Sequence, residues 1–236
     1  MASLVLCGEG PSDFGKEGEY GSLALVVLKA LEQLADEMQE EYKMPKITRL
    51  YHRNVQPNRI KNPKKPIASR MLYGIGKYSY LRDTAASFAQ NHVTSEDIGI
   101  LHSDVDFLNR EDGKKCYDNV ISAIRKGFSL ANKTNCCCAL VPMPRTEAWL
   151  LYLTPENSLS PQEIERLPGN DNSPYAPKMQ LCQLGYVTDN CGSQRNRNKK
   201  LSYIIENNFE HGKMMKLSSY KQFYEDLSSL NWQTLC

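Results

Sequence analysis

The stretch Asp97-Ile-Gly-Ile-Leu-His-Ser-Asp-Val-Asp-Phe107 constrains the fold of this chain more than any other. It runs apolar from Ile98 to Leu101 and then delivers two carboxylates, Asp104 and Asp106, one residue apart. A short Ile/Leu run bounded by polar residues suits a central parallel strand. Ligands of open α/β sheets gather at the carboxyl ends of such strands, so both acids are expected to face a site. Two hard oxygen donors in one turn suit Mg²⁺ or Mn²⁺, with several waters kept for a phosphate to displace. For an isolated Asp-x-Asp the commoner outcome is an Asx turn in which Asp104 caps the loop. What shifts the balance is the rest of the pattern.

Two further apolar runs end in acids. Residues 3–7 read as a strand, and Gly8-Glu9-Gly10-Pro11-Ser12-Asp13 follows at once. The glycines permit a tight turn and Pro11 suits the first turn of a short helix. The segment has neither the G-x-G-x-x-G of a dinucleotide site nor the Gly-Lys-Ser/Thr of a P-loop. A plain strand-to-helix turn capped by Ser12 or Asp13 accounts for it equally well. Residues 136–141 form the third run, and Pro142-Met-Pro-Arg-Thr-Glu-Ala-Trp-Leu-Leu-Tyr152 follows with Glu147. There Thr146 can cap a helix whose positive end favours Glu147.

Helical periodicity over residues 22–42, 80–92 and 112–130 alternates with strands at 3–7, 46–51, 98–101 and 136–141. Pro45 is expected to end the first helix. This alternation predicts an α/β fold with a central, mostly parallel sheet flanked by helices, Rossmann-like in layout. Residues 1–153 form the predicted core. Prolines at 155, 161, 168, 174 and 177 break residues 154–236 into a mainly helical extension, with helices expected near 177–184, 201–208 and 218–230.

Charge is uneven along the chain. The net charge is only +2, yet residues 42–82 hold eleven Lys or Arg and no acid. Arg59, Lys61, Lys64, Lys65, Arg70 and Lys77 lie there among prolines and tyrosines, a composition that suits a phosphate backbone and unstacked bases. A solvated loop beside the acidic helix is the plainer alternative. Arg195, Arg197, Lys199 and Lys200 form a second basic cluster. No run reaches the length of a membrane span. The first residues lack the basic and long apolar regions of a signal peptide, so a cytoplasmic location is expected. Eight cysteines, three of them consecutive at 136–138, show no zinc spacing and read as reduced thiols.

The ordered set Leu-Cys-Gly-Glu-Gly-Pro-Ser-Asp, Leu-His-Ser-Asp-Val-Asp and Pro-Arg-Thr-Glu-Ala-Trp-Leu-Leu resembles the Toprim fold of topoisomerases, bacterial primases and OLD-family nucleases. The last segment, with Ser173-Pro-Tyr-Ala-Pro-Lys178 after it, is similar to small stand-alone Toprim-like proteins found among bacterial defence genes. The resemblance spans roughly the first 180 residues. It implies a Mg²⁺-dependent nuclease of DNA or RNA. Glu9 would be metal ligand and general acid or base, Asp104 and Asp106 would hold Mg²⁺, and Asp13 and Glu147 would complete a second metal position. Two ions roughly 3.5–4 Å apart would activate the water and stabilise the leaving oxygen. The resemblance also implies antiviral defence and a partner protein, an ATPase among the candidates. The rival readings are a Toprim-like partner subunit that does not cut alone and, remotely, a haloacid-dehalogenase-type phosphatase. His102 stands where apolar residues are usual and is read as structural. Removing Glu9 or Asp104 is expected to relieve like-charge repulsion and leave the fold intact.

Overall fold

In a computed structural model, which describes residues 3–16, 18–55, 75–105, 113–170, 173–187 and 194–231, four strands form one parallel sheet. They are β1 (Ser3–Gly8), β2 (Lys46–Tyr51), β3 (Ile98–His102) and β4 (Cys137–Leu140), in the order β2-β1-β3-β4. The registers set Leu4 against Ile98, Gly8 against Tyr51 and His102 against Leu140. Alternation along each strand sends Leu4, Leu6, Ile98, Ile100, Cys138 and Leu140 into one core. Val5, Cys7, Leu101, Cys137 and Ala139 enter a second core on the other face. Burial on both faces is why β1, β3 and β4 read as continuous apolar runs, unlike the edge strand β2.

The second core is closed by α4 (Ile75–His92) and α5 (Gly113–Leu130), which pack closely on each other. A Cβ on Gly127 would fall 2.4 Å from the Arg82 carbonyl oxygen, so the two helices approach as near as glycine allows. On the first face lies α2 (Ser22–Met38), which buries Leu23, Val26, Val27, Ala30, Leu31 and Leu34. It ends well before Pro45. Gln39 turns left-handed at φ 57°, and Glu40 N donates to the Ala35 carbonyl at 2.9 Å. Carrying Glu40 and Glu41 further would set negative charge against the negative end of the helix dipole. Two four-residue helices follow the carboxyl ends of β1 and β2: α1 (Pro11–Phe14), after Glu9 and Gly10, and α3 (His52–Val55), directly.

The remaining helices are α6 (Thr146–Leu153), α7 (Pro161–Glu165), α8 (Pro177–Gln183), α9 (Gln194–Asn208), α10 (His211–Met214) and α11 (Ser218–Ser228). Beyond residue 154 no strand occurs among the described residues. Ile204, Ile205, Leu217, Tyr220 and Phe223 share one continuous core with α2 and the sheet. Trp149 of α6 is fully buried and donates from Nε1 to Ser219 Oγ at 2.9 Å. Buried Glu165 accepts from Ser219 N at 2.7 Å and from the Ser218 and Ser219 hydroxyls at 2.6 Å, capping α11 from outside the helix.

At the amino ends of the strands, Asp97 joins β1 to β3. Its carboxylate accepts from Ser3 N and Oγ at 2.9 and 2.7 Å and from Thr94 N and Oγ1 at 2.9 and 2.7 Å. Burial pushes the carboxyl up, but these four donors outweigh it and bring the pKa to about 2. A depressed carboxylate stabilises the fold above its unfolded pKa and loses that contribution as pH falls through the folded value. Asp97→Asn should therefore cost about 1–2 kcal/mol at neutral pH, allowing for solvent screening. Urea unfolding against pH checks this: the variant should lose less stability than wild type on acidification from about pH 5 to about pH 2.

Candidate active site at the carboxyl ends of the strands

With β2 on one side of β1 and β3–β4 on the other, the winding reverses between β1 and β3. In open α/β sheets that reversal opens a crevice at the carboxyl ends. Here Glu9 leaves β1, and Ser103 and Asp104 leave β3. Glu9 Oε1 accepts from Ser103 Oγ at 3.0 Å and from Asp104 N at 3.2 Å, which brings the two strand ends together. Glu9 itself is exposed. Asp104 is partly buried, and its Oδ1 accepts from Thr146 N at 3.0 Å, Thr146 Oγ1 at 3.2 Å and His102 Nε2 at 3.2 Å. Thr146 opens α6, and Arg145 at the N-cap makes no side-chain capping bond. The cap comes from Asp104, and the helix dipole favours its negative charge there.

His102 is buried at 1% exposure between two acids. Its Nε2 meets Asp104 Oδ1 at 3.2 Å, and its Nδ1 stands 3.5 Å from Asp13 Oδ2, an ion pair too long for a good hydrogen bond. Burial alone would push the imidazole toward neutrality, but Asp13 and Asp104 outweigh it and hold the pKa well above its ordinary value. Reciprocally, burial raises Asp13 but His102 outweighs that and holds it below the usual range, aided by bonds from Gly10 N and Ser12 Oγ. Behind this cluster lies His52, where β2 passes into α3. Burial drives its pKa down to about 4. The neutral ring donates from Nε2 to the His102 carbonyl at 2.8 Å, which places its proton on that nitrogen.

The predicted acids thus fall into groups. Glu9 and Asp104 converge, and Asp13 sits on the other nitrogen of the same imidazole as Asp104. Glu147 is half-buried in the first turn of α6, next to Thr146. Asp106, Arg59, Lys61, Lys64, Lys65 and Arg70 lie outside the described residues, and Lys77 is placed only by the backbone of α4. Sequence reasoning set His102 aside and did not single out His52. The signal was present in the i, i+2 spacing of His102 and Asp104 at a strand end, but two neighbouring polar residues do not reveal a third, Asp13, from another strand.

Glu9 and Asp104 are hard oxygen donors of the kind Mg²⁺ accepts while keeping most of its waters. All three hydrogen bonds to Asp104 fall on Oδ1, and Oδ2 accepts none among the described residues. That donor set fits a water-rich divalent ion. Among the described residues, no three His, Cys, Asp or Glu side chains close into a ready-made cage. In comparisons with protein-family models, curated proteins and solved structures, nothing matches this chain.

The geometry separates the two acids energetically. Glu9 is exposed, whereas Asp104 holds both a helix end and a buried imidazole, so Asp104→Ala should cost about 1–3 kcal/mol. His102→Ala, which leaves Asp13 and Asp104 facing without a cation, should cost about 3 kcal/mol. A raised histidine pKa gives stability that is full below its ordinary value of 6.5 and is lost as pH rises through the folded value. A lowered aspartate pKa gives stability that is full above 3.8 and is lost on acidification. Thermal midpoints measured from about pH 7 to about pH 10 should therefore decline more steeply in wild type than in His102→Gln. Parallel curves would remove the charged imidazole from the fold's electrostatics.

Proposed function

We propose that this chain is a divalent-metal-dependent nuclease of the Toprim type that hydrolyses phosphodiester bonds of DNA or RNA. The observation that carries this reading is the contact of Glu9 Oε1 with Asp104 N across the reversal point of the sheet, which puts two acids from separate strands at one crevice. Glu9, exposed at the mouth, is placed to take the proton of an attacking water and to return it to the leaving oxygen. Asp104 is held by Thr146 and His102, so its carboxylate is oriented before any substrate arrives. Asp13 keeps that imidazole in place from its other side. Glu9 and Asp104 would hold the ion, and Mg²⁺ when bound would lower the pKa of the attacking water and neutralise charge on the phosphoryl oxygens. On the same resemblance we place the protein in the cytoplasm, in defence against phage, activated by a partner protein. Among the described residues no helix is long and apolar enough to cross a membrane.

A second reading rests on the donor set among the described residues, two converging acids rather than a closed cage. In it the chain is a subunit that binds metal and nucleic acid but cuts only when a partner completes the site.

Purified protein incubated with labelled single- and double-stranded DNA and RNA in Mg²⁺, Mn²⁺ or chelator tests both. Metal-dependent cleavage should appear, and Glu9→Gln and Asp104→Asn should each reduce it by at least about a hundredfold. Glu9→Gln should leave the thermal midpoint unchanged. Undiminished cleavage by Glu9→Gln would remove the proposed base. Calorimetric Mn²⁺ binding with no cleavage of any substrate would select the second reading.

A further inference from the structure

At the sheet edge, Arg49 of β2 and Arg53 of α3 are neutralised by no acid among the described residues. Among the described residues, neither Arg49 nor Arg53 has a carboxylate within ion-pair distance. Arg49 donates from Nε to the Phe14 carbonyl at 2.9 Å, and its guanidinium carbon lies 5.3 Å from the Tyr20 ring centroid. The exposed Arg53 lies likewise over Tyr51, at 5.6 Å. By contrast, Arg82 pairs with Asp83 and Arg125 with Asp226. An arginine laid against an aromatic face loses little entropy on binding and keeps its fork of N–H donors for a second partner. Two such forks without acids suit an anion with repeated charges.

Their position gives that anion a direction. Arg49 and Tyr51 are two residues apart on one face of β2, roughly 6.6 Å along the strand. Tyr51 pairs in register with Gly8, the residue before Glu9. Phe14, whose carbonyl holds Arg49, follows Asp13 directly. The two pairs thus form a row along the sheet edge that ends beside the crevice. Tyr20 is 39% exposed at one end of the row, leaving aromatic surface beside the charge.

We infer that the Arg49–Tyr20 and Arg53–Tyr51 pairs form a track that binds the phosphates of a single-stranded nucleic acid and leads the strand to Glu9. The inference rests on the nuclease reading for what happens at the end of the track, and its binding step stands apart from cleavage. Charge for phosphates interleaved with aromatic rings is the combination that holds unpaired strands without sequence preference. A duplex keeps its bases stacked inward, so it offers the tyrosines nothing and binds the track more weakly.

Fluorescence anisotropy with end-labelled oligo-dT, oligo-U and a duplex of equal length, in chelator so that no cutting occurs, reads the track directly. Wild type should bind the single strands more tightly than the duplex. Arg49→Ala/Arg53→Ala should weaken single-strand binding by at least about tenfold, and the slope of log K against log salt should flatten by about 0.7 per lost phosphate contact. Arg53 is exposed and bonds no backbone group, so Arg53→Ala alone, at unchanged thermal midpoint, should still weaken binding by about threefold. Equal affinity for oligo-dT and oligo-U assigns the contact to phosphates and rings. An Arg53→Ala variant and a double variant that bind like wild type, or a wild type that prefers the duplex, would overturn the track while leaving Glu9-dependent cleavage to stand or fall on its own. Tight single-strand binding lost in the double variant, with no cleavage in Mg²⁺ or Mn²⁺, would uphold the track and overturn the nuclease reading.

Discussion

The carboxyl end of the sheet depends on the buried imidazole of His102. It stands between Asp13, which follows β1, and Asp104, which follows β3, and its own carbonyl is held by His52 at the end of β2. Placing a charge there is costly by itself, because burial favours the neutral ring. Two flanking acids reverse the balance, and the charged ring in turn helps hold Asp13 ionised. Such a cluster is intolerant of losing one member, since the remaining charges would be left without compensation. It therefore fixes the relative positions of three strand ends more tightly than apolar packing alone, which is non-directional.

Asp104 connects this cluster to the rest of the molecule through α6. The helix presents Thr146 to Asp104 at its first residue and buries Trp149 one turn later. Trp149 in turn meets Ser219, whose backbone and hydroxyl are held by Glu165. A chain of hydrogen bonds thus runs from the crevice to α11. The helices beyond residue 154 are part of the apparatus that seats α6, and hence part of what orients Asp104. Packing of rigid elements with locked side chains is what holds a constellation to the tolerance that chemistry needs.

The outline of the fold was legible because parallel strands buried on both faces leave short, unbroken apolar runs. Val5 and Leu6, or Leu101 and Ile100, are equally apolar although they enter opposite cores. The acids at the ends of those runs were legible for the same reason, each standing where a run stops. Helix ends were less so. The first long helix stops at Met38, where Gln39 turns left-handed, well before Pro45.

Sequence alone determined that strands alternate with helices, that the sheet is central and that acids leave three of its strands, since those facts are local in periodicity and composition. Only the tertiary structure decided which acids meet. Glu9 and Ser103 lie 94 positions apart in sequence, Asp104 and Thr146 lie 42 apart, and Arg49 reaches Phe14 across 35. No pattern along the chain encodes such pairings, because they follow from strand order, and strand order comes from how helices on two faces close over one sheet. The charge on His102 belongs to the same class. A histidine beside one aspartate is ambiguous in sequence, and the second carboxylate that settles it arrives from another strand.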